Sequence, residues 1–305
     1  MNYKILDLST LLPGPFAAHL LQEYDFQVTK IEDLRSSDPL RQMWPTDAGV
    51  SVAYTEINAH KNVIRIDYRK DEDMEKLRGL IRDSDVLIEN YKPGRMDKLG
   101  LGYEECKVLN PKIIYCSISG FGSGHPLSAL PAHDLNVLGY SGYLALQNAF
   151  RIPAIPFADV ITSYEAAVQI LVSLLKGEST YITVSMMQSI IKASAFVTAP
   201  IAHLNRDLET HESVLWGEYP CYALYKTKDD KYMALAAIER SFWGDFCNAT
   251  GLNAIGNNQF VPSPEVRKQI GDVIATKTQQ EWTDLHIDCF TPVLTYLESK
   301  TLGYV

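Results

Sequence analysis

With 305 residues, 46% hydrophobic and 21% charged, the chain is long enough for a large core and exceeds the usual size of one domain, which excludes a disordered segment and predicts two lobes. Net charge is −9, from 28 Lys+Arg against 37 Asp+Glu, and no basic run is interleaved with aromatics. Nucleic acid is therefore a poor partner, and an anionic ligand must meet a local patch of cations.

The five cysteines, Cys106, Cys116, Cys221, Cys247 and Cys289, are scattered, with no CxxC pair or His/Cys cluster, so a reduced, cytoplasmic protein without a metal is expected. The stretch Tyr3-Lys4-Ile5-Leu6-Asp7-Leu8 has no secretory character, and no apolar run is expected to reach the roughly 18 residues of a membrane span.

In chain order, Lys4 to Leu8 reads as a strand, Pro13-Gly14-Pro15 as a break, Phe16 to Leu21 as a helix and Val28 to Ile31 as the next strand. Such a strand–helix–strand unit starts a parallel sheet with right-handed crossovers. Asn62 to Ile66 is strand-like, Glu72 to Arg82 an amphipathic helix, and Asp85 to Glu89 and Ile113 to Ile118 are buried strands. Tyr164 to Leu175 forms a long apolar helix stopped by Gly177; Tyr181 to Ser185 is a strand and Met186 to Phe196 a second helix. The fold class predicted is α/β: a doubly wound, Rossmann-like large domain over 1–200, a linker over 201–218 and a smaller α+β domain over 219–305. In that last part Cys221 to Tyr225 and Tyr232 to Ala236 flank Lys228-Asp229-Asp230-Lys231 as a hairpin, and short helices follow near 241–251, 264–276 and 278–287.

The richest stretch for chemistry is Pro131-Ala132-His133-Asp134-Leu135-Asn136, just beyond the loop Ser119-Gly120-Phe121-Gly122. Histidine titrates near neutrality and a neighbouring carboxylate can tune it, which suits proton handling. Asp159 stands where the long helix opens, a place in which free N–H groups and the helix dipole favour a carboxylate. An imidazole and a separate carboxylate are thus available to one pocket.

Several segments, in this order and spacing, carry a resemblance: Leu12-Pro13-Gly14-Pro15-Phe16-Ala17, Val28-Thr29-Lys30-Ile31-Glu32, Asp38-Pro39-Leu40-Arg41, and Asn58 with Lys61. It continues in Ser84 to Gly94, Ser119 to Gly122, Tyr232-Met233-Ala234-Leu235 with Glu239 and Phe242, and Glu281-Trp282 ahead of Asp288 to Leu294. Together they resemble the family III CoA-transferase and α-methylacyl-CoA racemase superfamily, and His133-Asp134-Leu135-Asn136 looks like its racemase branch. The resemblance implies an acyl-CoA thioester as substrate, with coenzyme A entering as part of it and no tightly bound cofactor. It also implies a homodimer, whose chains interlock in relatives.

Carried over by position, His133 and Asp159 match the family's two acid/base positions and Glu239 a glutamate that supports the histidine. His133 would serve one face of the carbon next to the thioester and Asp159 the other, with N–H groups of the helix at Asp159 receiving the enolate oxygen. In the transferase reading Asp159 is instead a nucleophile that forms an anhydride. A non-catalytic acyl-CoA binder is the third reading. For the phosphates, Arg35, Arg41, Lys61, Lys92 and Arg95 are the candidate cations, and Gly120 and Asp134 are candidate contacts to the CoA ester. Two departures from the family pattern stand out, because Asp25 and Asp230 occupy turn positions where glycine is usual; aspartate tolerates the left-handed region such turns need.

Overall fold

The computed structural model describes residues 3–146 and 151–303, which divide into two compact units, Met1–Ala199 and Pro200–Val305. The division falls inside a helix that contains Pro200, ahead of the polar stretch 201–218 expected as a linker. That stretch carries two 3-10 turns, Thr210–Glu212 and Val214–Trp216.

The first unit runs β1 (Lys4–Asp7), α1 (Pro13–Gln22), β2 (Gln27–Asp33), a two-strand ribbon of β3 (Thr46–Asp47) and β4 (Val50–Ser51), and α2 (Val52–Ile57). It continues with β5 (Asn62–Ile66), α3 (Asp71–Arg82), β6 (Val86–Glu89), α4 (Arg95–Lys98), α5 (Tyr103–Leu109) and β7 (Ile114–Ser119). Then come α6 (Asp134–Tyr140), α7 (Phe157–Lys176), β8 (Thr180–Ser185), α8 (Met186–Ala193) and the first half of α9 (Ala195–Leu204), the helix in which the division falls. The expected helix from Met186 to Phe196 is in fact two, because the chain turns at Ser194.

Six strands form one parallel sheet in the order β5-β2-β1-β6-β7-β8, in register at Leu6 with Leu87 and Leu87 with Tyr115. Leaving out the ribbon, this is the doubly wound order 3-2-1-4-5-6. Alternation along the strands divides the apolar side chains between two layers. Ile5, Val28, Ile88, Cys116 and Val184 pack under Ala17, Ala18 and Leu21 of α1 and Ala166, Ala167 and Ile170 of α7. Leu6, Leu8, Ile31, Leu87 and Tyr115 pack under Met74, Leu77 and Ile81 of α3 and Cys106 of α5.

By length and composition α7 is apolar enough to cross a membrane, contrary to the expectation that no stretch has that reach. Its buried face belongs to the sheet core and its first turn carries Asp159. Asp25, in the turn before β2, has φ 66°, so the left-handed geometry that normally selects glycine is met by aspartate.

The second unit holds β9 (Tyr222–Lys226), β10 (Tyr232–Ala236), α10 (Arg240–Thr250), α11 (Pro264–Ile274), α12 (Gln279–Thr283), β11 (Phe290–Pro292) and α13 (Tyr296–Lys300). Its antiparallel sheet has the order β11-β10-β9, and Asp230 in the hairpin turn takes φ 61°. Met233 and Leu235 face Trp243 and Phe246 of α10, Ile270 and Ile274 of α11, and Trp282.

Candidate functional site

Ligands of doubly wound sheets bind beyond the carboxyl ends of the strands. There, past β1, β6 and β7, a cavity of about 140 Å³ is lined by Thr10, Leu11, Pro13, Asn90, Ser119, Gly120, Ala132, His133, Asp159 and Met186, among others. A second space of about 190 Å³ shares Asn90, Ser119, Gly120, Ala132 and His133 with it and adds Lys92 and Pro93. His133 and Asp159, 26 positions apart, therefore meet in one trough.

His133 immediately precedes α6, and its backbone N–H donates to Asn136 Oδ1 at 3.2 Å, which leaves the exposed imidazole at the cavity. Gly120 makes this placement possible: a Cβ there would lie 2.3 Å from Ala132 Cβ. The Gly120→Ala variant is expected to lose about 1–3 kcal/mol of stability through overpacking and to move His133, and adding Ala132→Gly should restore both. Urea midpoints of the two single variants and the double variant check this.

Asp159 is the third residue of α7, whose first turn starts at Phe157 after Pro156, so it is not the cap of its helix. Its neighbour Asp134 has that task. Asp134 Oδ1 accepts the N–H of Ala158 at 2.6 Å and of Asp159 at 3.2 Å. This corrects two expectations. The Asp134 carboxylate is held through Oδ1 at the start of α7 and not turned to the CoA ester, and the N–H groups of Ala158 and Asp159 are already taken, so they cannot receive an enolate oxygen. Burial, and then the Asp134 carboxylate beside it, push the Asp159 carboxyl up to about 7. Ser163 Oγ lies 2.8 Å from both the Asp159 and the Pro13 carbonyl oxygens, one donor shared between α7 and the start of α1.

The opposite wall is a short loop under unusual restraint. Asn90 Oδ1 accepts the Thr10 N–H at 2.9 Å and Asn90 Nδ2 donates to Thr10 O at 2.7 Å. Leu11 sits at φ 62°, a conformation that costs a non-glycine residue on the order of 1 kcal/mol. Its N–H donates to Asp38 Oδ1 at 3.0 Å. Beneath the loop Lys30, fully buried, reaches Ser9 O at 2.8 Å and Asp38 Oδ2 at 3.1 Å, and Asp7 is bonded by the Ser9 hydroxyl.

Among the candidate cations, Lys61 is corrected. It is buried, and its three ammonium protons meet Asp7 Oδ2 at 3.1 Å, Pro15 O at 2.7 Å and Asn58 Oδ1 at 3.0 Å, so no proton remains for a phosphate. Arg41 is clamped on Glu32 at 2.9 Å and Tyr54 at 2.6 Å. Arg35 bonds Asp67 through Nε at 3.1 Å and stays half exposed. Lys92 lies on the trough and Arg95, at the start of α4, is exposed beside it in sequence. Glu239 stands just ahead of α10 in the second unit, exposed, with its backbone carbonyl accepting from Trp243 at 3.1 Å. Among the described residues no group of three or more His, Cys, Asp or Glu is placed to hold a metal ion.

Sequence reasoning missed Glu89, at the carboxyl end of β6. It is buried, accepts the Tyr91 N–H at 2.7 Å, and lines a recess of about 200 Å³ with Lys92, Tyr103, Tyr115, Ser117 and Tyr181. Burial pushes its carboxyl up to about 7. The only hint was a charged residue closing a strand of four buried positions.

The fold agrees with what the chain is similar to. The family described as CoA-transferase family III matches residues 1–298, and the chain belongs to that family. It is 29% identical over 311 residues to an acyl-CoA transferase of Fusarium pseudograminearum, covering 92% of this chain and 67% of that protein. It is 28% identical over 317 residues to α-methylacyl-CoA racemase of Mus musculus, covering 97% of this chain and 78% of that protein. Of solved structures, a CAIB/BAIF family protein from Brucella suis superposes with a TM-score of 0.83 at 22% identity, covering 98% of this chain and 85% of that one. The family is one of enzymes, and its relatives carry both racemase and CoA-transferase names.

Proposed function

We propose that the protein racemises or epimerises a 2-substituted acyl-CoA thioester, with His133 and Asp159 as the two acid/base groups. The observation that carries this reading is that one cavity is lined by both side chains. Inversion next to a thioester needs one group to remove the α-proton and a second to return a proton to the other face. A carboxyl held near 7 suits either direction, because it is comparably populated as acid and as base at neutral pH. With the α7 N–H groups taken, the enolate oxygen falls to the N–H groups of Asp134 and Leu135 at the start of α6, since that of Asn136 already donates to the His133 carbonyl at 3.0 Å.

Incubation with (2R)- and (2S)-2-methylacyl-CoA esters in deuterium oxide tests the proposal. α-Deuterium incorporation without an added acid is expected, and its absence across the panel would overturn it.

A second reading is favoured by the transferase names among the relatives. Asp159 then attacks the thioester carbonyl and releases the CoA thiolate to form a mixed anhydride. The thiolate attacks the aspartyl carbonyl, freeing the donor acid and leaving an enzyme–CoA thioester, and an acceptor carboxylate reverses the two steps to depart as its CoA thioester with Asp159 regenerated. Hydroxylamine would trap that anhydride and inactivate the enzyme during turnover.

Lys92 and Arg95, with Arg35, are the cations left to meet the CoA phosphates, and the acidic chain makes each of them count locally. Lys92→Ala is expected to raise KM for the acyl-CoA about tenfold with kcat retained. Lys61→Ala should instead lower stability, since it leaves the buried Asp7 without a hydrogen-bonded cation. Steady-state kinetics beside thermal melts separate the two outcomes. Homodimerisation and a cytoplasmic location complete the reading, and sedimentation of the purified protein tests the first.

A further inference from the structure

Three consecutive residues, the buried Ser9 and the cavity-lining Thr10 and Leu11, are anchored from four directions. Lys30 Nζ holds the Ser9 carbonyl, Asp7 accepts the Ser9 N–H at 3.0 Å, Asn90 clamps both backbone groups of Thr10, and Asp38 takes the Leu11 N–H. Asp38 also accepts the Leu40 N–H at 3.0 Å with the same Oδ1 and turns Oδ2 to Lys30. Both charged side chains of that pair are completely shielded from solvent.

A buried pair of this kind contributes little net stability, because desolvation of both charges offsets their attraction. What it does supply is direction. Without a rigid acceptor, nothing would hold Leu11 in a left-handed conformation that its side chain disfavours, and such strain persists only where the surroundings over-determine it. Of these, Thr10 and Leu11 line the His133–Asp159 cavity and not the adjoining space beside Lys92.

We propose that the buried Lys30–Asp38 pair is a positioning device for the reaction: it fixes the Thr10–Leu11 wall against which the reacting end of the thioester is aligned between His133 and Asp159. This rests on the acid/base reading of that cavity. Neither residue touches the ligand; both act through the loop. Misalignment by about an ångström costs on the order of a hundredfold in rate, so the pair governs turnover and leaves attachment of the CoA portion alone.

The test is Asp38→Asn, whose amide keeps an oxygen for the Leu11 and Leu40 N–H groups but no longer attracts Lys30. Expected are a fall in kcat for α-proton exchange of about tenfold or more, a Kd for free coenzyme A within about twofold of the parent, and faster hydrogen exchange at the Leu11 amide. An unchanged kcat, or loss of coenzyme A binding in step with activity, overturns the proposal. If Asp38→Asn does not fold, Leu11→Gly serves, since it keeps the pair and slackens the wall; a parent-like kcat in it overturns the proposal. Should the parent enzyme catalyse neither exchange nor transfer, the acid/base reading fails, while Leu11 amide exchange in Asp38→Asn still judges the clamp: faster exchange supports it and unchanged exchange overturns it.

Discussion

Asp159→Asn is expected to lower turnover by roughly 10²–10⁴-fold, because asparagine neither accepts nor returns the α-proton and cannot act as a nucleophile. The two readings are separated by what survives. In the racemase reading His133 remains, so one enantiomer still exchanges its α-proton with solvent deuterium without inversion, and the other does not. In the transferase reading nothing survives. Chiral analysis of recovered ester together with mass spectrometry of deuterium content reads out both.

The same substitution has an effect on stability of opposite sign. The folded-state pKa of Asp159, about 7, lies above the ordinary 3.8 of an aspartyl carboxyl, so between those pH values the native state binds more protons than the unfolded chain. Stability therefore falls as pH rises from about 4 to about 7 and is level above that. Asp159→Asn removes this penalty, and its melting temperature at pH 8 should exceed the parent's by a few degrees while the two converge near pH 4. Asp134→Asn removes the second cause of the raised pKa and keeps an oxygen for the α7 N–H groups. The acidic limb of the rate profile should move to lower pH, modestly, because burial is the larger cause.

His133→Ala is the second large effect. A loss of roughly 10²–10⁴-fold in inversion is expected, with exchange retained for the enantiomer that Asp159 deprotonates. Because the imidazole is exposed and the bond to Asn136 uses the backbone, stability should stay within about 0.5 kcal/mol. A variant that inverts at the parental rate would remove histidine from the chemistry.

The sheet was legible because its central strands are short apolar runs bounded by turn residues, and β5 at Asn62–Ile66 and the hairpin around Asp230 follow directly from that pattern. The pair His133 and Asp159 was legible as residue types, and through the resemblance. What lay beyond reach was direction. Asp134 is adjacent to His133 in sequence, yet its carboxylate points at α7, a choice made by helix geometry 24 residues away. Lys61 reads as a free cation because charge in a sequence is assumed to face water, and only the packing of Asp7, Pro15 and Asn58 around it shows otherwise. Lys30 and Glu89 escaped for the same reason. Neither a buried ion pair nor a buried carboxyl leaves a periodic trace.

The hydroxyl of Ser163, shared between the carbonyl of Asp159 and that of Pro13, couples the helix bearing the carboxylate to the helix opposite. Two walls fastened at their base in this way form a ready mould, not a jaw. Preorganisation of this kind spares binding energy from being used to bring walls together and leaves it for the reaction itself.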